Sequence, residues 1–503
     1  MSKGPTMFRV KKPGTVVSHR EQQQQVRQVR ARWDAAQTTD ENRKHWAMAD
    51  SLSADAAAAP GVRRILRNRA RYEVANNTYA RGIVNTLAND CVGTAARIDF
   101  TALRSADGNF LKAEFQAWAE EIDLAEKLRT LRISRAVDGE GFGLFTNNPI
   151  LDSAVKLDLR LLEAEQVADV NLAPLDLNAV DGIRFDAYGN PAEYSVLRQH
   201  PGGAAFISLE AERIPASQML HFFIPERPGQ CRGIPELTSA LPLFAQLRRW
   251  TLAVIAAGET AADLAAILYS TDSPDGEAAP SAPFDRVEFE RRAMVTLPHG
   301  WQVSQMKAEH PTSTYGEVKN QLIAEVARCL GVPFNVAAGN SSGYNYSSGR
   351  LDHQTYFKSL RVDRARMMRQ VLDRIFNAWK REAVLIEGYL PQSLRTVQTN
   401  FAHSWFFDGT EHVDPQKEAN AQGTRLANLT TTLSDEWGRQ GADWEDKIDQ
   451  IGKERKKLAS LGLTLGDVVP APAPTAAKPS KVAVPADDES DDSDESDDGD
   501  ADE

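Results

Sequence analysis

The sequence predicts an α+β fold, and three observations predict it. Apolar residues recur at helical spacing in several long stretches, among them Val62 to Leu87, Phe110 to Ile133, Val318 to Leu330 and Leu351 to Arg381. From Gly141 to about Phe223 the pattern changes to short alternating runs such as GFGLFTN and GIRFDAYGNPAEYSVL, which suit half-buried strands. The composition, 42% hydrophobic and 8% aromatic over 503 residues, is that of a folded chain with core enough for two or three domains.

The ends do not share that composition. Residues 1 to 33 hold eight Lys or Arg, one acid and a QQQQ tract, and read as a flexible basic arm that buries too little to offset the entropy of ordering it. From VVPAPAPTAAKPSKVAVPADDES onward the chain is Pro/Ala-rich and then acidic, an extended self-repelling tail. Residues 487 to 503 carry twelve acids and no base, so the formal charge of −12 sits there and the rest of the chain balances 58 acids with 58 bases. Any electrostatic role of the body must come from how charge is spread over its faces.

Cys91, Cys231 and Cys329 are far apart and in no CxxC pattern, which excludes an evident disulfide framework or zinc ribbon and fits a reducing compartment. No N-terminal segment resembles a signal peptide. The most apolar helical run, WTLAVIAAGETAADLAAILYS, is broken by Glu259 and Asp263, short of the ~18 uninterrupted apolar residues of a span. The expectation is a soluble protein that stays in the cell that makes it.

The elements follow in order. A helix over Val62 to Leu87 places Ile65, Tyr72, Tyr79 and Ile83 at apolar positions, and YGNP makes a hairpin turn within the strand region. Thr238 or Ser239 caps a helix of nearly thirty residues with Pro242 in its first turn, running through Leu247, Trp250, Val254, Ala257, Leu264 and Leu268. A turn-rich segment, TDSPDGEAAPSAPFD, and the strand-like MVTLPHGWQVSQM come next. The helix from Val318 ends at Gly331 and Pro333, and a third begins near Leu351 with Tyr356, Leu360, Met367, Val371, Phe376 and Trp379 on its apolar face. Asp414 caps a further helix that opens on Pro415, and Asp443 caps another. No internal repeat is present.

The stretch GNSSGYNYSSGRLDHQ, residues 339 to 354, brings serine, aspartate and histidine together. A Ser–His–Asp catalyst needs serine on one side of the imidazole and the carboxylate on the other, whereas Asp352 and His353 are helix neighbours about 100° apart. Ser348 as cap and Asp352 as first-turn acid account for the pattern without catalysis. DGEGFG leads into a strand, where a phosphate cradle would open a helix, and no GxxxxGK[ST] or HExxH is present. His403, Asp408, His412 and Asp414 lie close in sequence around a turn and a helix cap, which is weak grounds for a metal. The basic stretches GVRRILRNRARYE and Arg350 to Arg381, the latter with nine Lys or Arg against Asp352, Asp363 and Asp373, read first as solvated faces or subunit-to-subunit salt bridges and second as DNA contacts.

Taken together and in order, NNTYARGIVNTLANDCVGTAARI (76 to 98), DGEGF, IPERPGQCRGIPELTSAL (224 to 241), IAEVARCLGVPFNVAAGNSSGYNYSSGRLDHQ (323 to 354) and DPQKEANAQGTRLANLTTTLSDEWGRQGADWEDKIDQIGKE (414 to 454) resemble the lambda-type portal proteins of tailed bacteriophages, over residues 60 to 465. The resemblance implies a portal fold, with a mixed α/β wing, a helical stem, an α/β clip and a helical crown, assembled as a twelve-fold ring around a tunnel at one capsid vertex. The implied segments are the arm at 1–33, the first part of the wing at 34–234, a stem helix at 235–270, the clip at 271–314, a second stem helix at 315–332, a tunnel loop at 333–349, the second part of the wing at 350–412, the crown at 413–466 and the tail at 467–503.

The resemblance also implies the function: DNA is packaged through the ring by the terminase and later ejected, and the head–tail connector attaches to it. The implied partners are further copies of the chain, the large terminase subunit, a head–tail adaptor, the major capsid protein, scaffold, and double-stranded DNA held without sequence specificity. No membrane, cofactor, metal or catalytic step is implied. The implied location is the virion's portal vertex, and the bacterial cytoplasm during assembly. The loop would face DNA through Asn340, Ser341, Ser342, Tyr344, Asn345, Tyr346, Ser347 and Arg350, with Gly339, Gly343 and Gly349 giving mobility. Neutral hydrogen-bonding groups suit a duplex that must slide, since phosphate is its uniform feature. The rival readings are a DNA-processing enzyme, which needs a phosphate loop or a metal-binding carboxylate cluster, and a monomeric DNA-binding module, which predicts single chains where a portal predicts rings.

Overall fold

The computed structural model describes residues 39–100, 103–169, 178–203, 210–262, 266–270, 301–305, 314–395, 401–409 and 415–464. The basic arm, most of the expected clip, His412, Asp414 and the acidic tail lie outside them. The chain divides into two compact units between Trp405 and Phe406.

In the first unit, α1 (Pro60–Asn76) and α2 (Thr78–Val92) replace the single helix expected over Val62 to Leu87. Asn77 breaks it: its backbone is extended (φ −121°, ψ 116°), its side chain accepts the amides of Tyr79 and Ala80, and its Nδ2 donates to the Phe244 carbonyl. A residue that caps one helix and reaches another element has no conformation left for continuing the first. The expected helix from Phe110 is likewise two, α3 (Ser105–Glu121) and α4 (Leu124–Asp138), divided at Ile122 and the left-handed Asp123.

Helix α4 ends at Gly139 (φ +90°), where DGEGFG turns into a strand, so this glycine-rich stretch is a structural turn. A Cβ on Gly139 would lie 2.4 Å from the Ile234 carbonyl carbon, and one on Gly233 would lie 2.1 Å from the Gly139 oxygen. The two glycines let the α4 turn and the CRGIPE segment touch backbone to backbone.

After β1 (Arg97–Phe100), the strand region forms two antiparallel sheets. β2 (Glu140–Asn147) lies between β3 (Leu157–Leu162) and β8 (Met219–Phe223), while β4 (Ala179–Val180), β5 (Ile183–Phe185), β6 (Pro191–Leu197) and β7 (Ala211–Pro215) form a meander. The YGNP turn joins β5 to β6, with Asp186 accepting the amides of Tyr188 and Asn190. Phe142, Ile183, Tyr194, Val196 and Met219 pack between the sheets.

Thr238 and Ser239 do not cap the next helix; they lie in a 3-10 turn that runs into α5 (Leu241–Ala262). That helix is shorter than expected, because Ala266–Ser270 forms strand β9, paired antiparallel with β10 (Trp301–Gln305). Its sequence, AILYS, fits a pleated strand as well as a helix, and pairing decides between them. Helix α6 (Thr314–Leu330) ends at Gly331 (φ +67°). The one-and-a-half-turn α7 (Phe334–Ala338) and the long α8 (Tyr346–Met367) follow, and a π-helical turn at Met368–Leu372 carries α8 into α9 (Asp373–Leu385). All six residues expected on the apolar face of this run, from Tyr356 to Trp379, are buried. Phe376 and Trp379 join Phe100, Phe115, Trp118, His403 and Trp405 in one aromatic cluster, and β11 (His403–Phe406) pairs with β1. His403 Nδ1 lies 2.7 Å from the Phe401 carbonyl oxygen and Nε2 3.2 Å from Asp373 Oδ1, so it is engaged in packing.

The arginine-rich stretch of α1 departs most from expectation. Its inward face is Arg63, Arg67, Ala70 and Glu73, whereas Ile65 and Tyr72 are exposed. Arg63 pairs with Asp181, Arg67 with Glu165 at 3.1 Å, and Arg71 with Asp138 at 2.7 Å and Glu165 at 3.0 Å. These are neither solvated charges nor pairs between subunits; they join α1 to α4 and to the sheet loops inside one chain. The network continues through the buried Arg232, which binds Glu140 at 2.7 Å, and through His221, stacked between Phe142 and Phe223 with Nε2 3.1 Å from Glu140. Burial pushes the Glu140 carboxyl up, but Arg232 and His221 outweigh it and hold it below the usual carboxylate range. Burial lowers the His221 pKa, and Glu140 only partly offsets this.

A second cluster sits where α4, the approach to α5 and α8 meet. Arg132 binds Asp363 at 2.8 Å and Glu236 at 3.1 Å; Arg135 binds Glu236 at 2.7 Å and also Asp363. Burial raises the Asp363 pKa, yet the two guanidiniums win and keep it low.

In the second unit, α10 (Pro415–Ala427), α11 (Leu433–Arg439) and α12 (Trp444–Ser460) are held by Arg425, which binds Glu418 and Glu436 at 2.8 Å each. Asp443 caps α12 as expected, accepting the Glu445 amide.

Two predictions follow from the charges. Asp363→Ala leaves two buried guanidiniums short of a carboxylate and should cost about 3–5 kcal/mol in denaturant unfolding; a loss under about 1 kcal/mol would show that the cluster does not hold these elements. His221 has a folded pKa below its unfolded value of about 6.5, so the unfolded chain takes up its proton first as pH falls. Its contribution is complete above that value and lost below it, while that of Glu140 fails only below its unfolded value of about 4.3. The unfolding midpoint should therefore fall between pH 7 and pH 5, and His221→Phe should flatten that slope.

Candidate nucleic-acid interface

The candidate loop is shorter than the expected 333–349, because α7 occupies its start and α8 its end. What remains irregular is Gly339 to Asn345, built largely on its own hydrogen bonds. Gly339 closes α7 in the left-handed region (φ +63°), and the Asn340 amide returns to the Asn335 carbonyl at 3.1 Å. Asn340 Oδ1 accepts the Ser342 amide at 2.9 Å, and the Ser341 carbonyl accepts that of Tyr344 at 3.0 Å. Each link spans only a few residues, so the loop's shape is local.

Asn345, and not Ser348, caps α8. Its Oδ1 accepts the Ser348 amide at 2.8 Å while Ser348 Oγ accepts the Asn345 amide at 3.2 Å, a reciprocal capping box. The helix consequently starts five residues before Leu351. Tyr346, Ser347 and Arg350 lie in its first turns, and Gly349 is a helical residue there, not a hinge.

The serine, aspartate and histidine do not come together as a catalyst. Ser348 is used by the cap, Asp352 accepts the Tyr344 hydroxyl at 3.0 Å, and His353 Nε2 lies 3.0 Å from Asn335 Nδ2. Tyr344 is thus half-buried and tied to its own α8; burial and then the Asp352 carboxylate raise its pKa. Asn340, Ser341, Ser342, Asn345, Ser347 and Arg350 are exposed. The outward surface of the loop is neutral and polar, with one cation behind it.

Helix α8 is anchored at three points. Tyr356 donates to the Asp90 carboxylate at 2.5 Å. Arg364 donates to the carbonyls of Asp90 and Cys91 at 2.8 and 3.2 Å, where a cation at the C-terminus of α2 also opposes its dipole. Asp363 makes the third anchor, to Arg132 and Arg135. The Cys91 thiol beneath these contacts is pushed up to about 12 by burial and stays protonated.

Two cations that sequence reading did not single out, Lys358 and Arg361, share the side of α8 that carries Arg350. All three are exposed and form no ion pair among the described residues. The sequence showed nine basic residues on this run, but not that Arg364 and Arg374 are spent on carbonyls, Arg374 on that of Ala216 at 2.6 Å. Spacings of eight and three residues would have aligned these cations once the helix start was known. Glu163, Glu165 and His200 also approach one another, but Arg71 already binds both glutamates. No helix of the described residues is long and apolar enough to cross a membrane.

Comparison with known proteins gives three results. Residues 39–364 match the family described as "Phage portal protein, lambda family". A probable portal protein of Halomonas phage phiHAP-1 is 24% identical over 426 residues, covering 79% of this chain and 81% of the relative. Among solved structures, a chain from the neck of the native GTA particle computed with C12 symmetry is 13% identical, covering 76% of this chain and 94% of that one at a TM-score of 0.44. A chain from the neck of the empty GTA particle computed with C6 symmetry is 14% identical, covering 77% and 97% at 0.45.

Asn345→Ala should remove about 1 kcal/mol from the start of α8, seen as roughly fivefold faster hydrogen exchange at the Ser348 amide. Tyr344→Phe should speed exchange across 339–345 with little change in global stability. Unchanged exchange in both variants would mean that the cap and the hydroxyl tether do not order the loop.

Proposed function

This chain belongs to the lambda family of phage portal proteins, and from that premise we propose that it works as a closed ring of identical copies through which double-stranded DNA passes. The observation in this chain that carries the ring is α5. Its second half, WTLAVIAAG between Arg249 and Glu259, has no charged side chain, yet Leu252 and Ile255 are 61% and 53% exposed. Phe244 and Leu247, in the first half, are buried in the core shared with Ile323, Val326 and Ala327 of α6. A helix covered at one end and bare and apolar at the other has a partner beyond its own chain, since each Å² left in water forgoes about 25 cal/mol.

In this reading α5 and α6 are the stem, β9 and β10 begin the clip, α8 and α9 support the wing, and the helices after Pro415 form the crown. The loop from Gly339 to Asn345 faces the duplex. Asn340, Ser341, Ser342, Asn345 and Ser347 offer neutral groups that exchange hydrogen bonds with phosphate and water. Arg350, Lys358 and Arg361 supply a repeated positive field that is indifferent to base sequence. Tyr344 serves by bracing the loop from behind. The terminase and a head–tail adaptor meet the clip in turn, the capsid protein meets the wing, and the ring has its place at one vertex of the virion. The chain supplies no catalysis; ATP hydrolysis and DNA cutting belong to the terminase.

Electron microscopy of the purified chain should show rings with a central hole. A variant lacking Ser341 to Tyr344 should still form them but fill heads poorly or lose packaged DNA. Normal head filling by that variant would remove the loop from the DNA path, and particles without a ring would remove the ring.

A further inference from the structure

A second apolar seam lies on α1, and the ring does not by itself say what covers it. Val62, Ile65 and Tyr72 are 44%, 49% and 56% exposed, and with Arg69 they follow the spacing i, i+3, i+7, i+10. That spacing gives one narrow stripe along the helix, the form of seam that another helix fills. Toward its start the stripe opens on a cavity of about 270 Å³ of mixed lining, with Ala54, Val62, Leu66 and Ile234 beside Glu226 and Arg227. Toward its end Tyr72 lies under the Arg248 guanidinium, 4.9 Å from ring centroid to carbon, and Glu73 neutralises that guanidinium at 3.1 Å. Arg248, Leu252 and Ile255 are spaced i, i+4, i+7 on α5, so the stripe continues onto the bare face of that helix with its junction charge cancelled.

We infer that this seam is the face on which α6 of the next copy of the chain docks. The inference rests on the ring reading, and it names the two faces. Closed rings join two different faces of one chain, so the complement of the seam must also be exposed on the chain itself. Arg69 stands within the seam and Arg64 beside it, with Arg249 beside its continuation, all exposed and with no ion pair among the described residues. The open side of α6 carries two carboxylates that can meet them, Glu317 and Glu325, exposed and likewise unpaired, with Gln321 between them and the exposed Arg328 just beyond Glu325. Both helices are 17 residues long, about 25 Å each, so one lies along the other without overhang. The exposed face of α8 also holds apolar residues, Leu351 and Val362, but its cations Arg350, Lys358 and Arg361 would meet Arg64 and Arg69 with like charge.

The test uses purified full-length chain in which Cys231 and Cys329 are changed to Ser. Ile65→Cys combined with Val318→Cys should give, on mild oxidation, a ladder of covalent multimers that neither single change gives. Arg69→Glu should abolish rings, and adding Glu325→Arg should restore them. Rings that form without a ladder and tolerate Ile65→Asp overturn the inference while leaving the ring intact. A ladder from Ile65→Cys with Leu351→Cys, and none with Val318→Cys, overturns it in favour of α8. Monomers from the otherwise unaltered chain overturn the ring reading itself.

Discussion

Asp363 stands between Arg132 and Arg135, with Glu236 on their other side, and the mutual placement of α4, the approach to α5 and α8 depends on this cluster. Two charges of each sign cancel, so burial is tolerable only while all four groups are present. The four come from three places: α4, the turn before α5, and the middle of α8. An apolar contact among the same elements would permit sliding by a rotamer or a fraction of a turn. Bidentate guanidinium–carboxylate geometry does not. The cluster therefore fixes the direction of α8, and with it the point from which the loop at Gly339 to Asn345 projects.

The same logic explains why α1 turns arginines inward and leaves Ile65 and Tyr72 outside. Arg63, Arg67 and Arg71 reach carboxylates on three segments far away in sequence, which the short side chains of an apolar face would not span. Desolvating these ions offsets much of what their pairing contributes, so the network adds specificity of arrangement more than stability. It also frees the opposite face of α1 to be apolar without competing with the core. A subunit that must bury different faces against two neighbours needs this separation of interior from contact surface.

Much of the fold was legible because apolar spacing reports burial directly. Tyr356, Leu360, Met367, Val371, Phe376 and Trp379 all lie inside, despite a π turn among them, because the extra residue shifts both halves onto their apolar faces. Boundaries were less legible where a side chain rather than a pattern decides them. Asn77 looks like any polar residue on a helix until its bond to the Phe244 carbonyl is known. Ser348 and Asn345 are both good caps; the box they form makes Asn345 the cap and Ser348 the third residue of the helix. Ala266–Ser270 carries no helix-breaking residue, and only its pairing with Trp301–Gln305 shows a strand. The inward arginines were least legible, since a basic run on a helix ordinarily means solvent or nucleic acid and nothing local marks the distant carboxylates.

For the candidate site, the exposed loop was readable as neutral and polar, while the roles of its tyrosine and its supporting cations were not. Their arrangement bears on how a ring lets DNA slide. If arginines stood on the loop itself, each step of the duplex would break close ion pairs on every copy at once, and the combined barrier would rise with copy number. On the proposed function, with Arg350, Lys358 and Arg361 set along α8 behind an uncharged rim, the field would be felt across part of the ~8 Å screening length, while the closest groups would exchange ordinary hydrogen bonds with water and phosphate. The bond from Tyr344 to Asp352 engages the hydroxyl of a ring that stacks well on bases and so restrains it. On the proposed function, attraction is thereby separated from contact: the helix would hold the duplex near the axis, and the loop would offer it nothing strong enough to grip.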